Sequence, residues 1–263
     1  MKRIPAFLVA LVVLASLFTG CSNPSEKTDN KVQGTEIMVC AAASLIDALT
    51  EIQRVYEQNS PGVKINFNFA ASGILQHQIE QGAPSDLFIS AGKKQMDVLE
   101  DKNLIDKESR TDLIGNDLVL VVSKYSTNIS SFQDLTGPEI SRISIGTPET
   151  VPAGKYAQET LESLNLWDVL KPKLVMAKDV RQVLSYVETG NVEAGLVYRS
   201  DAVSTNKLKI AAAAPFTSHK PIVYPAAVVP NSSNQEAAKT FLNFLQSDEA
   251  LDIFKKHGFT TLN

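Results

Sequence analysis

Two rhythms of apolar and polar residues alternate between Glu36 and Phe259. Short apolar runs predict strands at Ile37–Ala41, Lys64–Phe69, Asp86–Ser90, Leu118–Ser123, Arg142–Ile145, Lys173–Met176, Ala194–Tyr198, Leu208–Ala212 and Tyr224–Val229. Between them, apolar residues return at helical spacing. That predicts helices at Ser44–Gln58, Gly73–Glu80, Lys94–Asp101, Gly154–Leu166, Val180–Glu188, Gln235–Gln246 and Asp248–His257. In the first of these, Leu45, Leu49, Ile52 and Tyr56 share one face. Apolar strands separated by helices imply an α/β fold with parallel sheets covered on both faces. Leu118–Val122 and Tyr224–Val229 bracket a central segment with its own alternation. A chain that leaves one lobe, builds a second and returns would cross at such a pair. The predicted organisation is lobe I at 35–120 and 223–263, lobe II at 121–222, and a hinged cleft between them.

The first residues follow a different pattern. Met1-Lys2-Arg3 is a basic start, Ile4 to Phe18 is an apolar run, and small residues lead to Cys21. This is the layout of a signal peptide at 1–20. Leu17-Phe18-Thr19-Gly20-Cys21 resembles the lipobox of bacterial lipoproteins, in which the cysteine becomes the lipid-bearing, palmitate-carrying N-terminus. Residues 21–34 are polar and read as a flexible tether. An uncleaved membrane anchor is the alternative; in both cases the body is extracytoplasmic and beside a membrane.

Cleavage after residue 20 removes Lys2 and Arg3 and no acids, so the formal charge moves from −4 to −6. An acidic body argues against nucleic acid as a partner. Any anion must then be captured by local dipoles. With Cys21 lipidated, Cys40 is the one remaining cysteine, so no internal disulfide can form. His77, His219 and His257 show no metal-ligand spacing, and neither a bare metal ion nor a cofactor is expected.

Four strand-to-helix junctions share one chemistry. Ala41-Ala42-Ala43-Ser44-Leu45 and Phe69-Ala70-Ala71-Ser72-Gly73 each run from a strand through small residues to a serine at a helix start. Val151-Pro152-Ala153-Gly154 and Lys178-Asp179-Val180-Arg181 open two more helices, with Asp179 suited to be an N-cap. The first amides of a helix have no internal partner and lie at the positive end of its dipole, so such junctions suit an anion. Singly, each serine is equally an ordinary N-cap; the recurrence is what points to a ligand. Tyr198, at the end of a strand, can add a phenol from the cleft floor or sit half-buried as a core tyrosine.

Taken together, several segments resemble the molybdate-binding proteins of bacterial ABC importers. They are Ala41–Leu45, Gly82-Ala83-Pro84-Ser85-Asp86-Leu87-Phe88-Ile89-Ser90-Ala91, Val151-Pro152-Ala153-Gly154-x-Tyr156-Ala157, Asp179-Val180-Arg181 and Gly195-Leu196-Val197-Tyr198-x-Ser200-Asp201-Ala202. The resemblance implies the two-lobe type II periplasmic-binding-protein fold with two crossing strands at a hinge. It also implies a monomeric receptor for molybdate or tungstate that delivers to a permease and its ATPase. The oxyanion is held in that family at positions matching Ser44, Ser72, Ala153, Val180 and Tyr198. Position 73 is Gly, where some members carry a third hydroxyl.

Lys155, Arg181 and Arg199 neighbour these positions and are either counter-charges or solvated side chains. A sulfate-type receptor is the nearest alternative. A secreted hydrolase using Ser44 or Ser72 with His77 lacks a G-x-S-x-G elbow, and His77 falls in the helix that Ser72 starts. A lipid-tethered interaction module would expose an apolar patch and take no small ligand.

Overall fold

A computed structural model describes residues 34–262. The expected signal peptide, Cys21 and all of the tether but Gly34 lie outside the described residues. In chain order the elements are β1 (Thr35–Ala42), α1 (Ile46–Asn59), β2 (Val63–Ala70), α2 (Ser72–Glu80), β3 (Leu87–Ile89), α3 (Lys93–Asp101), β4 (Thr111–Asn116) and β5 (Leu118–Ser123). They continue with β6 (Ile143–Gly146), α4 (Pro152–Ser163), α5 (Trp167–Leu170), β7 (Leu174–Ala177), α6 (Val180–Glu188), β8 (Ala194–Tyr198) and α7 (Arg199–Val203). Last come β9 (Leu208–Ala213), β10 (Ile222–Val228), α8 (Gln235–Leu245) and α9 (Asp248–Lys256).

The strands form two sheets of the same plan, β2-β1-β3-β10-β4 and β7-β6-β8-β5-β9. In each, three parallel strands are joined by a fourth that runs antiparallel, β10 in one and β5 in the other. These fourth strands are the two that bracket the central segment. The chain passes from sheet to sheet at Asp117, between β4 and β5, and again through residues 214–221, between β9 and β10. The two passages are adjacent: Ala214 N–H bonds Leu118 O at 2.9 Å, and Ile222 pairs with Asn116. By sheet membership the change therefore falls at Asp117, slightly ahead of the boundary after residue 120 expected from the apolar run.

Burial follows the pattern of each strand. Val39 and Ala41 of β1 face α1, whose Ala48, Leu49, Ile52 and Tyr56 are buried. Cys40, between them, faces the other way, against Leu75 and Ile79 of α2 and Met96 and Leu99 of α3. The first sheet is thus covered on both sides, and Cys40 is a buried free thiol serving as a small core residue. In α6, Val180, Val183, Leu184 and Val187 form the inward face. Burying four such side chains contributes roughly 6–12 kcal/mol gross, which holds the helix against its sheet.

Three elements were not expected. The β4 segment, Thr-Asp-Leu-Ile-Gly-Asn, has turn residues on both sides of two apolar ones. The helices α5 and α7 are too short for periodicity to appear. One helix start also differs. Ser44 lies inside a 3-10 turn, Ala43–Leu45, and makes no capping bond.

Candidate functional site

The carboxyl ends of β1, β2, β6 and β7 meet between the two sheets, where each strand gives way to a helix start. Open α/β sheets place their ligand crevices at such ends. Here the crevice is a small cavity. About 10 Å³ is open to the centre of a water-sized group, room for one small group and for no extended molecule. Ser44, Ser72, Ala153, Val180 and Tyr198 all line it. The rest of the wall is mainly alanine, including Ala42, Ala43, Ala70, Ala71 and Ala91, so the backbone can come close to whatever occupies the centre.

Local sequence sets each start. Pro152 takes the first position of α4, where its missing N–H costs nothing, and leaves the Ala153 amide next in the turn. Gly154 packs α4 onto β6: a Cβ there would lie 1.9 Å from Gly146 O. Asp179 caps α6, its Oδ1 accepting from Gln182 N–H at 2.8 Å. The Val180 amide, at the first position of that helix, has no intrahelical partner. Asp179 is also the one charged residue among those lining the cavity, and its Oδ1 is engaged by the capping bond.

The hydroxyls are held from behind. Ser72 Oγ accepts from Ala91 N–H at 2.9 Å, which leaves its proton free. Ser44 Oγ lies 2.9 Å from the Tyr224 hydroxyl, which Asn116 Nδ2 also meets at 3.3 Å. Tyr198 reaches only a long bond, 3.3 Å, to Ala91 O. Burial, first of all, holds the phenols of Tyr198 and Tyr224 well above the usual range, so both remain protonated donors. Sequence reasoning missed Tyr224 and Asn116. The first reads as one more core residue of an apolar strand, and the second as a turn residue between two apolar runs.

None of the three neighbouring cations lines the cavity. Lys155 meets Gln158 at 3.4 Å, and Arg199 pairs with Asp117 at 2.9 Å. Arg181 reaches from α6 to Asp47 on α1, bonds Ser204 at 3.0 Å, and lies 3.7 Å from Asp201. It joins the lobes instead of neutralising a ligand. Asp201 is fully buried, and its carboxylate oxygens make no hydrogen bond. Burial pushes its acid up to about 7, with Arg181 opposing. The lobes also touch where Gly73 N–H bonds Thr150 O at 2.9 Å, an approach that only a residue without Cβ allows, since a Cβ would sit 2.6 Å from that oxygen. The two lobes are therefore in contact beside the cavity.

Catalytic pairing of Ser72 with His77 is not formed: the ring meets Glu80 at 3.3 Å on the exposed side of α2. Among the described residues no cluster of three or more His, Cys, Asp or Glu side chains could hold a metal ion.

Residues 37–260 match the family model described as bacterial extracellular solute-binding protein. The chain is 46% identical to the putative ABC transporter substrate-binding lipoprotein YvgL of Bacillus subtilis, over 98% of each chain. It is 44% identical to the molybdate-binding protein ModA of Escherichia coli, over 86% of this chain and 89% of that one. Among solved structures it resembles the substrate-binding domain of a putative molybdenum ABC transporter from Clostridium difficile. That match has a TM-score of 0.69 and 46% identity, over 88% of this chain and 100% of that one. The two-sheet architecture is the two-lobe type II periplasmic-binding-protein fold.

Proposed function

The chain belongs to the bacterial extracellular solute-binding proteins, and on that premise we propose that it captures molybdate, and tungstate with it, between its lobes and delivers it to an ABC permease and ATPase. The observation that carries this reading is the composition of the cavity wall. Four helix starts and three hydroxyl side chains converge there, and no cation lines it. A fully deprotonated dianion has only acceptors, so it is matched by a shell of donors. Amides and hydroxyls satisfy it without a buried ion pair, whose desolvation can exceed its Coulombic gain. The dipoles of α2, α4 and α6 add favourable potential at their amino ends.

Ser44, Ser72 and Tyr198 supply hydroxyl donors, and Ala153 and Val180 supply amides. Hydrogen phosphate would present its proton to these donors, where a bare dianion presents only acceptors. One such mispairing costs roughly 1–3 kcal/mol, and buried polar mismatches can discriminate more strongly still. The ligand touches both lobes and so stabilises the closed arrangement over an open one. The names of YvgL and ModA support the importer and the oxyanion respectively. Lipid attachment at Cys21, a monomeric body and the absence of catalysis complete the reading.

Calorimetric titration of the purified protein with sodium molybdate tests it. Saturable binding at one ion per chain is expected, with a smaller radius of gyration in scattering. Absence of both heat and thermal stabilisation at millimolar molybdate would refute it.

A further inference from the structure

Beneath the cavity lies a second layer of buried polar groups that do not line it. Tyr224, in β10, is fully buried, and its hydroxyl is 2.9 Å from Ser44 Oγ. Asn116, the last residue of β4, is buried beside it. The orientation of the Asn116 carboxamide is fixed by its own backbone neighbour: Oδ1 accepts from Asp117 N–H at 2.9 Å. Nδ2 therefore faces inward, donating to Ser200 Oγ at 2.9 Å and to the Tyr224 oxygen at 3.3 Å.

A phenol has one proton to give. The Tyr224 oxygen accepts from Asn116, and either hydroxyl of the Tyr224–Ser44 pair can donate across its 2.9 Å; in the arrangement proposed below, the Tyr224 proton goes to Ser44 Oγ. Ser44 Oγ then accepts, and its own proton is released toward the cavity it lines. The chain of donors runs Asn116 to Tyr224 to Ser44 and on to the centre. Ser72 is fixed in the same sense by the Ala91 amide, but there the backbone does it. At Ser44 the direction depends on two side chains.

We propose that Tyr224, oriented by Asn116, is a positioning residue that locks the Ser44 hydroxyl as a donor and thereby excludes oxyanions that carry a proton. The proposal rests on the oxyanion reading of the cavity. Without the Tyr224 hydroxyl, nothing directs the Ser44 proton toward the cavity, and Ser44 Oγ can turn to accept from a protonated anion. Specificity between a bare and a protonated anion is then set partly by a residue that touches neither.

Tyr224→Phe tests this with molybdate and inorganic phosphate titrated separately at one pH and salt concentration. The ring is retained, and with it the edge contacts to Tyr198 and Phe259. Molybdate should bind roughly 5–20-fold more weakly, while phosphate should hold or gain, so that their affinity ratio falls by about fivefold or more. Asn116→Ala, which frees the Tyr224 oxygen, should move the ratio in the same direction by less. Ser44→Ala removes donor and acceptor together and should weaken molybdate without helping phosphate. Equal weakening of both anions in Tyr224→Phe, or no change in molybdate affinity, would overturn the proposal. A wild-type protein that binds no molybdate would instead refute the oxyanion reading on which it stands.

Discussion

Val180→Pro separates the contribution of a single backbone amide from that of the side chain it belongs to. The structure makes the substitution clean. Val180 is the first residue of α6, and the earliest backbone bond of that helix is donated by Val183 to Asp179 O. Proline at this position removes no intrahelical hydrogen bond. It also requires an extended residue before it, and Asp179 has φ −159° and ψ 171°. The capping bond from Gln182 N–H to Asp179 Oδ1 is unaffected. What disappears is one N–H lining the cavity, and a hydrogen bond to a charged group is worth about 1.5–3 kcal/mol. Molybdate should therefore bind roughly 10–150-fold more weakly. Val180→Ala keeps the amide and trims a buried side chain, so it should cost fold stability and little affinity. Calorimetry measures the affinities, and urea unfolding measures the stabilities. Equal affinity losses in the two variants, or none in Val180→Pro, would refute the assignment of the amide as a ligand.

Gly73→Ala should separate stability from affinity. Alanine favours a helix by up to about 1 kcal/mol over glycine, but its Cβ would collide with Thr150 O as the lobes close. Unfolding resistance without ligand should hold or rise while molybdate affinity falls at least severalfold; unchanged affinity would show that closure does not depend on this contact. For Asp201→Asn the test is a pH slope. The folded protein keeps the Asp201 proton up to about pH 7, against an ordinary value of 3.8. Between those values the folded state holds a proton that the unfolded chain has released, so wild-type stability falls as pH rises through this window. The variant lacks that loss. It should gain on wild type between about pH 4 and 7, by at most on the order of 4 kcal/mol, and level off above; urea unfolding giving a pH-independent difference would contradict it. Cys21→Ser should release the protein from the membrane fraction with molybdate binding intact, and retention in that fraction would exclude lipid anchoring through Cys21.

What the sequence revealed and what it hid have a common physical basis. Ser44, Ser72, Ala153, Val180 and Tyr198 lie far apart in the chain, yet four of them could be found because helix starts carry local signals: small residues, Pro152, and Asp179 as a cap. The fold was legible for the same reason, since alternation of strand and helix is written in nearest neighbours. Tyr224 and Asn116 act only through tertiary contact, across 180 and 108 residues for the two bonds that join them to Ser44. Nothing in their own segments marks them. Arg181 shows the converse. Its position beside Val180 suggests a counter-charge, but its partners Asp47 and Asp201 are brought to it by other helices, and they take it out of the cavity. Asp86, prominent in the sequence motif, proves to be architectural: its carboxylate accepts from Met38 N–H at 2.6 Å and ties the start of β3 to β1.

Selectivity tests the donor-only shell most directly. Its donors are carried on packed helix starts and cannot contract freely around a smaller ion. Sulfate, with shorter bonds to oxygen than molybdate or tungstate, should leave several hydrogen bonds stretched, and phosphate should be rejected through its proton. The measurement is calorimetric titration of one preparation with molybdate, tungstate, sulfate and phosphate at the same pH and salt concentration. Molybdate and tungstate should bind comparably, and sulfate at least about a hundredfold more weakly, roughly 2.7 kcal/mol. Sulfate or phosphate binding as tightly as molybdate would contradict the donor-only shell and the molybdate assignment with it.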